Sequence, residues 1–224
     1  MGSAIGEMLP LAIGIAISPV PIIAIILMLI TPKARSNGLA FLGGWLLGLA
    51  LVGTVVLIVA DNAEVATSSG PSRTVGALRL VLGLLLLVLA WRRFKTRPGA
   101  GEEASMPKWM RALDTFTPTR SLAIGALLSG VNPKNLILCA TAAAGIAQSG
   151  LSGFQQAVVL LVLVVVGSLG LIAPVGVYFA MGDKATKALD GWKAWLAANN
   201  ATVMIVLFVV FGVMLVGKGI GGLS

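Results

Sequence analysis

Ser18-Pro19-Val20-Pro21 and Asn132-Pro133-Lys134-Asn135 each stand about midway through a long apolar run, and how these two stretches are read decides the fold. Proline has no backbone N–H, and its ring clashes with the preceding helical turn. Each run is therefore expected to divide into two half-helices, with Ser18 or Asn132 as N-cap and Pro19 or Pro133 at the first helical position. The second half-helix then begins with amide groups that lack an intrahelical acceptor and carry the positive end of the helix dipole, a combination that favours an anion. Ser18, Pro19, Pro21, Ser129, Asn132, Pro133, Lys134 and Asn135 are the candidate substrate-binding residues on this basis.

The surrounding chain has 224 residues, of which 58% are hydrophobic and 11% charged. Soluble chains carry roughly 25% charged residues. A globule of this size has too little interior to hide so much apolar surface, so a bilayer is the expected solvent. With no histidine and a single cysteine, Cys139, the composition argues against disulfide scaffolds, zinc centres and most acid/base active sites. Neither a cofactor nor an enzymatic activity is expected.

The spacing of charges defines the spans. Between Glu7 and Lys33, and again between Arg35 and Asp61, lie 25 uncharged residues, more than the roughly 20 that cross a hydrocarbon core. The 48 charge-free residues between Lys134 and Asp183 are interrupted by Gly150-Leu151-Ser152-Gly153, a turn signal, and read as two spans. Leu80 to Trp91 alone is too short to cross, so the third span must begin near Thr74, which carries Arg79 into the outer part of the membrane. Six spans result, at residues 9–31, 38–60, 74–91, 121–148, 154–181 and 195–217.

Alternating loops allow a comparison of their basic residues. Twelve lysines and arginines fall on one side, and only Arg73 and Lys218 on the other. The twelve-residue side is expected to be cytoplasmic, which puts both termini outside the cytoplasm of a cytoplasmic-membrane protein. Trp91, Trp109, Trp192 and Trp195 gather near the same boundary. The net charge of +8 lies between apolar runs and is not interleaved with aromatic residues, so no nucleic-acid partner is expected.

Leu11-Ala12-Ile13-Gly14 recurs as Leu122-Ala123-Ile124-Gly125, and Ser18 and Val20 match Ser129 and Val131 at the same offset. Each half holds three spans, an odd number, so the second half must be inverted relative to the first. The expected fold is an all-α integral membrane protein of six transmembrane helices, arranged as two inverted three-helix repeats with the first and fourth helices broken. Residues 1–91 form the first repeat, 92–120 a flexible basic cytoplasmic loop and 121–224 the second repeat.

Lys134 sharpens the question of what the broken helices do. A lysine at the bilayer centre costs roughly 3 kcal/mol on insertion scales, and no carboxylate lies inside the spans to offset it. Backbone carbonyls freed by the break, water in a cavity, or an anionic ligand could each compensate. Arg79, a few residues from the outer end, either snorkels to water or attracts an anionic headgroup at the outer face. Gly44-Trp45-Leu46-Leu47-Gly48 reads as a helix-packing face, and Gly167, Gly170 and Pro174 soften the fifth span.

The paired proline motifs, together with Pro32-Lys33-Ala34-Arg35 and the following Gly38, resemble the lysine-exporter superfamily. Within it, the resemblance is closest to the sulfolipid- and glycopeptidolipid-addressing proteins of mycobacteria and related actinobacteria, and it covers nearly the whole chain. The resemblance implies export: of amino acids and small ions in the wider superfamily, of envelope lipids to the cell surface in the addressing proteins. Amino-acid exporters tend to carry a glycine-rich proline-glycine-proline element where this chain has Ser18-Pro19-Val20-Pro21, so no amino-acid specificity is carried over. The expected partners are membrane lipids, an anionic lipid or a small anionic or zwitterionic solute, and a second copy of the chain in a homodimer. The expected function is export of an anionic amphiphile or envelope lipid across the cytoplasmic membrane through a central site at the two half-helix starts. A small-solute exporter and a non-transporting scaffold for lipid export are the alternatives.

Overall fold

The computed structural model describes residues 1–66, 73–97 and 116–223, and among these residues the regular structure is all helical. Residues 98–115, which include Lys108, Arg111 and most of the expected basic loop, lie outside the described residues. The helices are α1 (Gly2–Ala16), α2 (Pro19–Leu29), α3 (Ala34–Ala66), α4 (Arg73–Lys95), α5 (Pro118–Gly130), α6 (Pro133–Ala147), α7 (Gly153–Gly167), α8 (Leu169–Met181) and α9 (Ala185–Gly221).

Both proline motifs break their helices. α1 and α2 meet at 55° across Ile17-Ser18, and α5 and α6 at 64° across Val131-Asn132, with Pro19 and Pro133 opening the second half-helix in each case. A third break, 58° between α7 and α8, falls at Ser168 in the segment that Gly167, Gly170 and Pro174 soften. No proline stands at that junction. Ser168 donates instead to the Val164 carbonyl at 2.6 Å, and Gly170 lets the start of α8 lie directly against the Ala16 carbonyl.

By length and composition, α3 and α9 can each cross a membrane, and counting each bent pair as one span raises the number to five. The expected third span lies within α4, which falls outside that count and ends in Arg92, Arg93 and Lys95. The chain is therefore a helical membrane protein with two to five such spans. The sixth expected span starts later in the sequence reading than in the structure, where α9 begins at Ala185 and runs for 37 residues. At about 1.5 Å per residue this exceeds the hydrocarbon thickness. Its first turns are held by the buried Ala185 and Leu189 and by a 2.6 Å ion pair between Lys193 and Asp190.

α2 and α6 sit at the centre of the fold, with most of their residues buried. α2 carries no polar side chain at all, as a helix surrounded on every side requires. Around them α3 packs along α5 and α4 along α9, while α1 lies between α6 and α7. Glycines set these crossings. A methyl group at Gly44 would strike the Leu122 carbonyl, one at Gly48 the Ser129 hydroxyl, and one at Gly125 the Phe41 carbonyl. The GxxxG pattern of α3 thus packs against α5 of the same chain and is not free to join a second copy. Gly76 and Gly83 of α4 meet Gly219 and Gly212 of α9 in the same way.

Adjacent glycines on α3 provide a test, because Gly44 faces α5 while a Cβ at Gly43 would meet nothing within 4 Å. Gly44→Ala is expected to destabilise the protein by about 2 kcal/mol through overpacking. Gly43→Ala should be neutral or stabilising by up to about 1 kcal/mol through helix propensity. Thermal unfolding in detergent measures both, and equal effects at the two positions would contradict the α3–α5 crossing.

Candidate functional site

The first break leaves the carbonyls at the end of α1 without their helical partners, and the structure provides for every one. Ile17 N–H returns to Ile13 O at 3.0 Å, and Ser18 N–H to Ala16 O at 3.0 Å. The Ser18 hydroxyl donates to Ile15 O at 2.7 Å. Gly14 O and Ile17 O, the two that remain, accept from Lys134 Nζ at 2.5 and 2.9 Å. The third proton of that amine goes to Ser18 Oγ at 2.8 Å. Three acceptors therefore meet the three protons of an ammonium, and Lys134 is 1% exposed.

This arrangement answers what compensates Lys134. Of the three possibilities raised by the sequence, the freed backbone carbonyls do so. The amine sits at the C-terminal end of α1, where the helix dipole is negative and a cation is favoured. The second break is closed by the neighbouring side chains. Asn132 Oδ1 caps α6 by accepting from the Lys134 amide at 3.1 Å. Asn135 Nδ2 donates back to Leu128 O at the end of α5 at 3.2 Å, and its Oδ1 lies 3.2 Å from Ser18 Oγ. Ser18, Lys134 and Asn135 thus form one buried cluster that joins both breaks.

The half-helix starts offer an anion less than the sequence suggested. Pro19 and Pro21 occupy two of the first three positions of α2, so only Val20 has an amide proton there. In α6 the Lys134 amide is taken by Asn132 Oδ1 and the Leu136 amide by Asn132 O, which leaves that of Asn135. Ser18 stands at the N-cap of α2, but its side chain makes no capping bond because it serves α1 and Lys134 instead.

The remaining candidates lie elsewhere. Ser129 donates to Ala126 O at 3.0 Å within the seam where α5 crosses Gly48 of α3. Arg79 lines a separate cavity of about 270 Å³ among α1, α4, α6 and α9. Its guanidinium donates to Gln148 Oε1 at 3.2 Å, and Lys218 and Glu7, 3.5 Å apart, share the same cavity. Gln148 and the Glu7–Lys218 pair were not singled out from the sequence as site residues. A charged residue at each outer span end was the available signal. A second, almost entirely apolar groove of about 320 Å³ runs between α4 and α9, past Leu87, Trp91, Phe94 and Val209.

Removing the amine should expose the two carbonyls. Lys134→Met is expected to cost about 2 to 6 kcal/mol, since each of the two unpaired buried acceptors costs about 1 to 3 kcal/mol. Arg79→Gln, in the half-open cavity, should change stability by less than about 0.5 kcal/mol. Thermal unfolding of the purified variants measures both; an unchanged midpoint for Lys134→Met would contradict the clasp.

Among proteins already characterised, neither the curated proteins nor the solved structures hold a match to this chain. The family model described as Sap, sulfolipid-1-addressing protein, matches residues 8–221, a range that includes both proline breaks, the Lys134 cluster and Arg79, while Ser3, Ala4 and Glu7 of the cavity lie before it. That match covers nearly the whole chain, which therefore belongs to the sulfolipid-1-addressing protein family.

Proposed function

We propose that the protein moves an anionic amphiphile, such as an envelope glycolipid, across the cytoplasmic membrane, with the headgroup passing through the protein while the tails remain in lipid. The observation that carries this reading is the match over residues 8–221 to a family described by the addressing of a sulfolipid. The geometry supports an amphiphile over a hydrophilic solute. The centre of the fold is closed by Ser18, Lys134 and Asn135, each no more than 2% exposed, and α2 contributes no polar side chain to a water-filled path. The outer cavity, by contrast, holds Arg79 and Lys218 where a headgroup would arrive.

In the same reading the chain has six spans in two inverted repeats, related to the lysine exporters, with both termini outside the cytoplasm and a homodimer as the working unit. It performs no chemistry and needs no cofactor. α4 supplies the third span and so completes the six, its basic end with Arg92, Arg93 and Lys95 lying at the cytoplasmic side. The two breaks then mark the boundary between repeat halves that rock against each other, as in other broken-helix transporters.

One observation favours a second reading, a non-transporting scaffold for lipid export: all three protons of the Lys134 amine are held by the protein itself. Reconstitution separates the two. Vesicles containing the purified protein are expected to scramble a fluorescent anionic lipid at least about tenfold faster than protein-free vesicles, a barrier difference of about 1.4 kcal/mol. Uptake of a radiolabelled amino acid without scrambling would point to a small-solute exporter, and neither activity under several ion gradients would leave the scaffold.

A further inference from the structure

The outer cavity is electrostatically unbalanced. Arg79 and Lys218 bring two positive groups to it and Glu7 one negative group. Glu7 faces Lys218 at 3.5 Å, whereas the only hydrogen-bond partner of Arg79 among the described residues is the neutral Gln148. One N–H of the guanidinium fork is used, and the others have no acceptor among the described residues. Such a fork matches two oxygens of a sulfate or phosphate better than any single charge does.

Exposure within the lining is graded. The side chains of Glu7 and Lys218 are 69% and 37% exposed and form the mouth. Met8, Leu11, Ile146 and Leu215 are no more than 4% exposed and form an apolar inner wall. A freely hydrated ion gains nothing from such a wall, whereas the first carbons beyond an ester headgroup do. At about 270 Å³ the cavity admits a headgroup and not the chains that follow it.

We propose that this cavity binds the sulfate or phosphate ester headgroup of an amphiphile. Arg79 and Gln148 anchor the oxyanion, and Glu7 at the mouth opposes it and occupies Lys218 until the headgroup arrives. The site deepens the exporter reading and rests on it only for the lipid character of the ligand. It also separates binding from the Lys134 cluster, which belongs to the closed centre.

The test uses the full chain, purified in an uncharged detergent and titrated at constant ionic strength with dihexanoylphosphatidylglycerol, dihexanoylphosphatidylcholine and sodium sulfate. The anionic lipid is expected to bind at least about tenfold more tightly than either of the others, and Arg79→Gln to remove about tenfold of that affinity, the loss of one charge-assisted contact. Glu7→Gln should tighten binding about threefold by removing the opposing charge, a gain that misfolding cannot produce. Affinity unchanged in both variants would overturn the site, and sulfate binding as tightly as the anionic lipid would overturn its assignment to an amphiphile. Arg79-dependent binding in a protein that does not scramble lipid would keep the site and remove the exporter reading. Scrambling with no Arg79-dependent binding would do the reverse.

Discussion

A lysine ammonium and the cut end of a helix are each costly inside hydrocarbon, and in this protein each removes the other's cost. An isolated lysine at the bilayer centre costs roughly 3 kcal/mol by insertion scales. An exposed helix end leaves carbonyls that lipid cannot hydrogen-bond. Lys134 reaches from the first turn of α6 to Gly14 O, Ile17 O and Ser18 Oγ, satisfying its own protons and the α1 terminus together. The interaction spans 116 to 120 residues of sequence, so it also ties the two halves of the chain.

The rest of the fold converges on that clasp. Ile15, in the last turn of α1, packs on Gly167, and the Ala16 carbonyl lies against Gly170, so the third broken helix docks where the first one ends. Asn135 closes the end of α5 from one side of the cluster while Ser18 closes α1 from the other. The outer helices then need little more than close approach, which glycines along α3–α5 and α4–α9 allow. Within the cluster Ser18, Lys134 and Asn135 are all hydrogen-bonded, and an unpaired group there would cost far more than at a wet surface.

Much of this was legible in the sequence because it rests on residues with strong local effects. Pro19 and Pro133 marked the breaks, charge spacing marked the helices, and Gly150, with φ of 65°, marked the turn before α7. The α7/α8 break was harder to see, because no proline stands at Ser168, where the two helices meet. The acceptors of Lys134 were invisible for a different reason: every residue has a carbonyl, so no side-chain pattern points to Gly14 or Ile17. The pairing of Arg79 with Gln148, 69 residues away, likewise depends on how α4 and α6 meet. The seven-residue spacing shared by Gly76 and Gly83 on α4 and by Gly212 and Gly219 on α9 could have been read as a packing seam.

The structure separates a closed centre, where the Lys134 amine is engaged with the ends of the broken helices, from an open cavity lined by Arg79, Glu7 and Lys218. The division depends on the amine of Lys134 being engaged with Ser18 and the α1 carbonyls. The most direct measurement is a double-mutant cycle on the unfolding free energy of Lys134→Met, Ser18→Ala and the combined variant. The clasp predicts a coupling of about 1 kcal/mol or more between the two positions. Strictly additive effects would place the amine elsewhere and contradict the account.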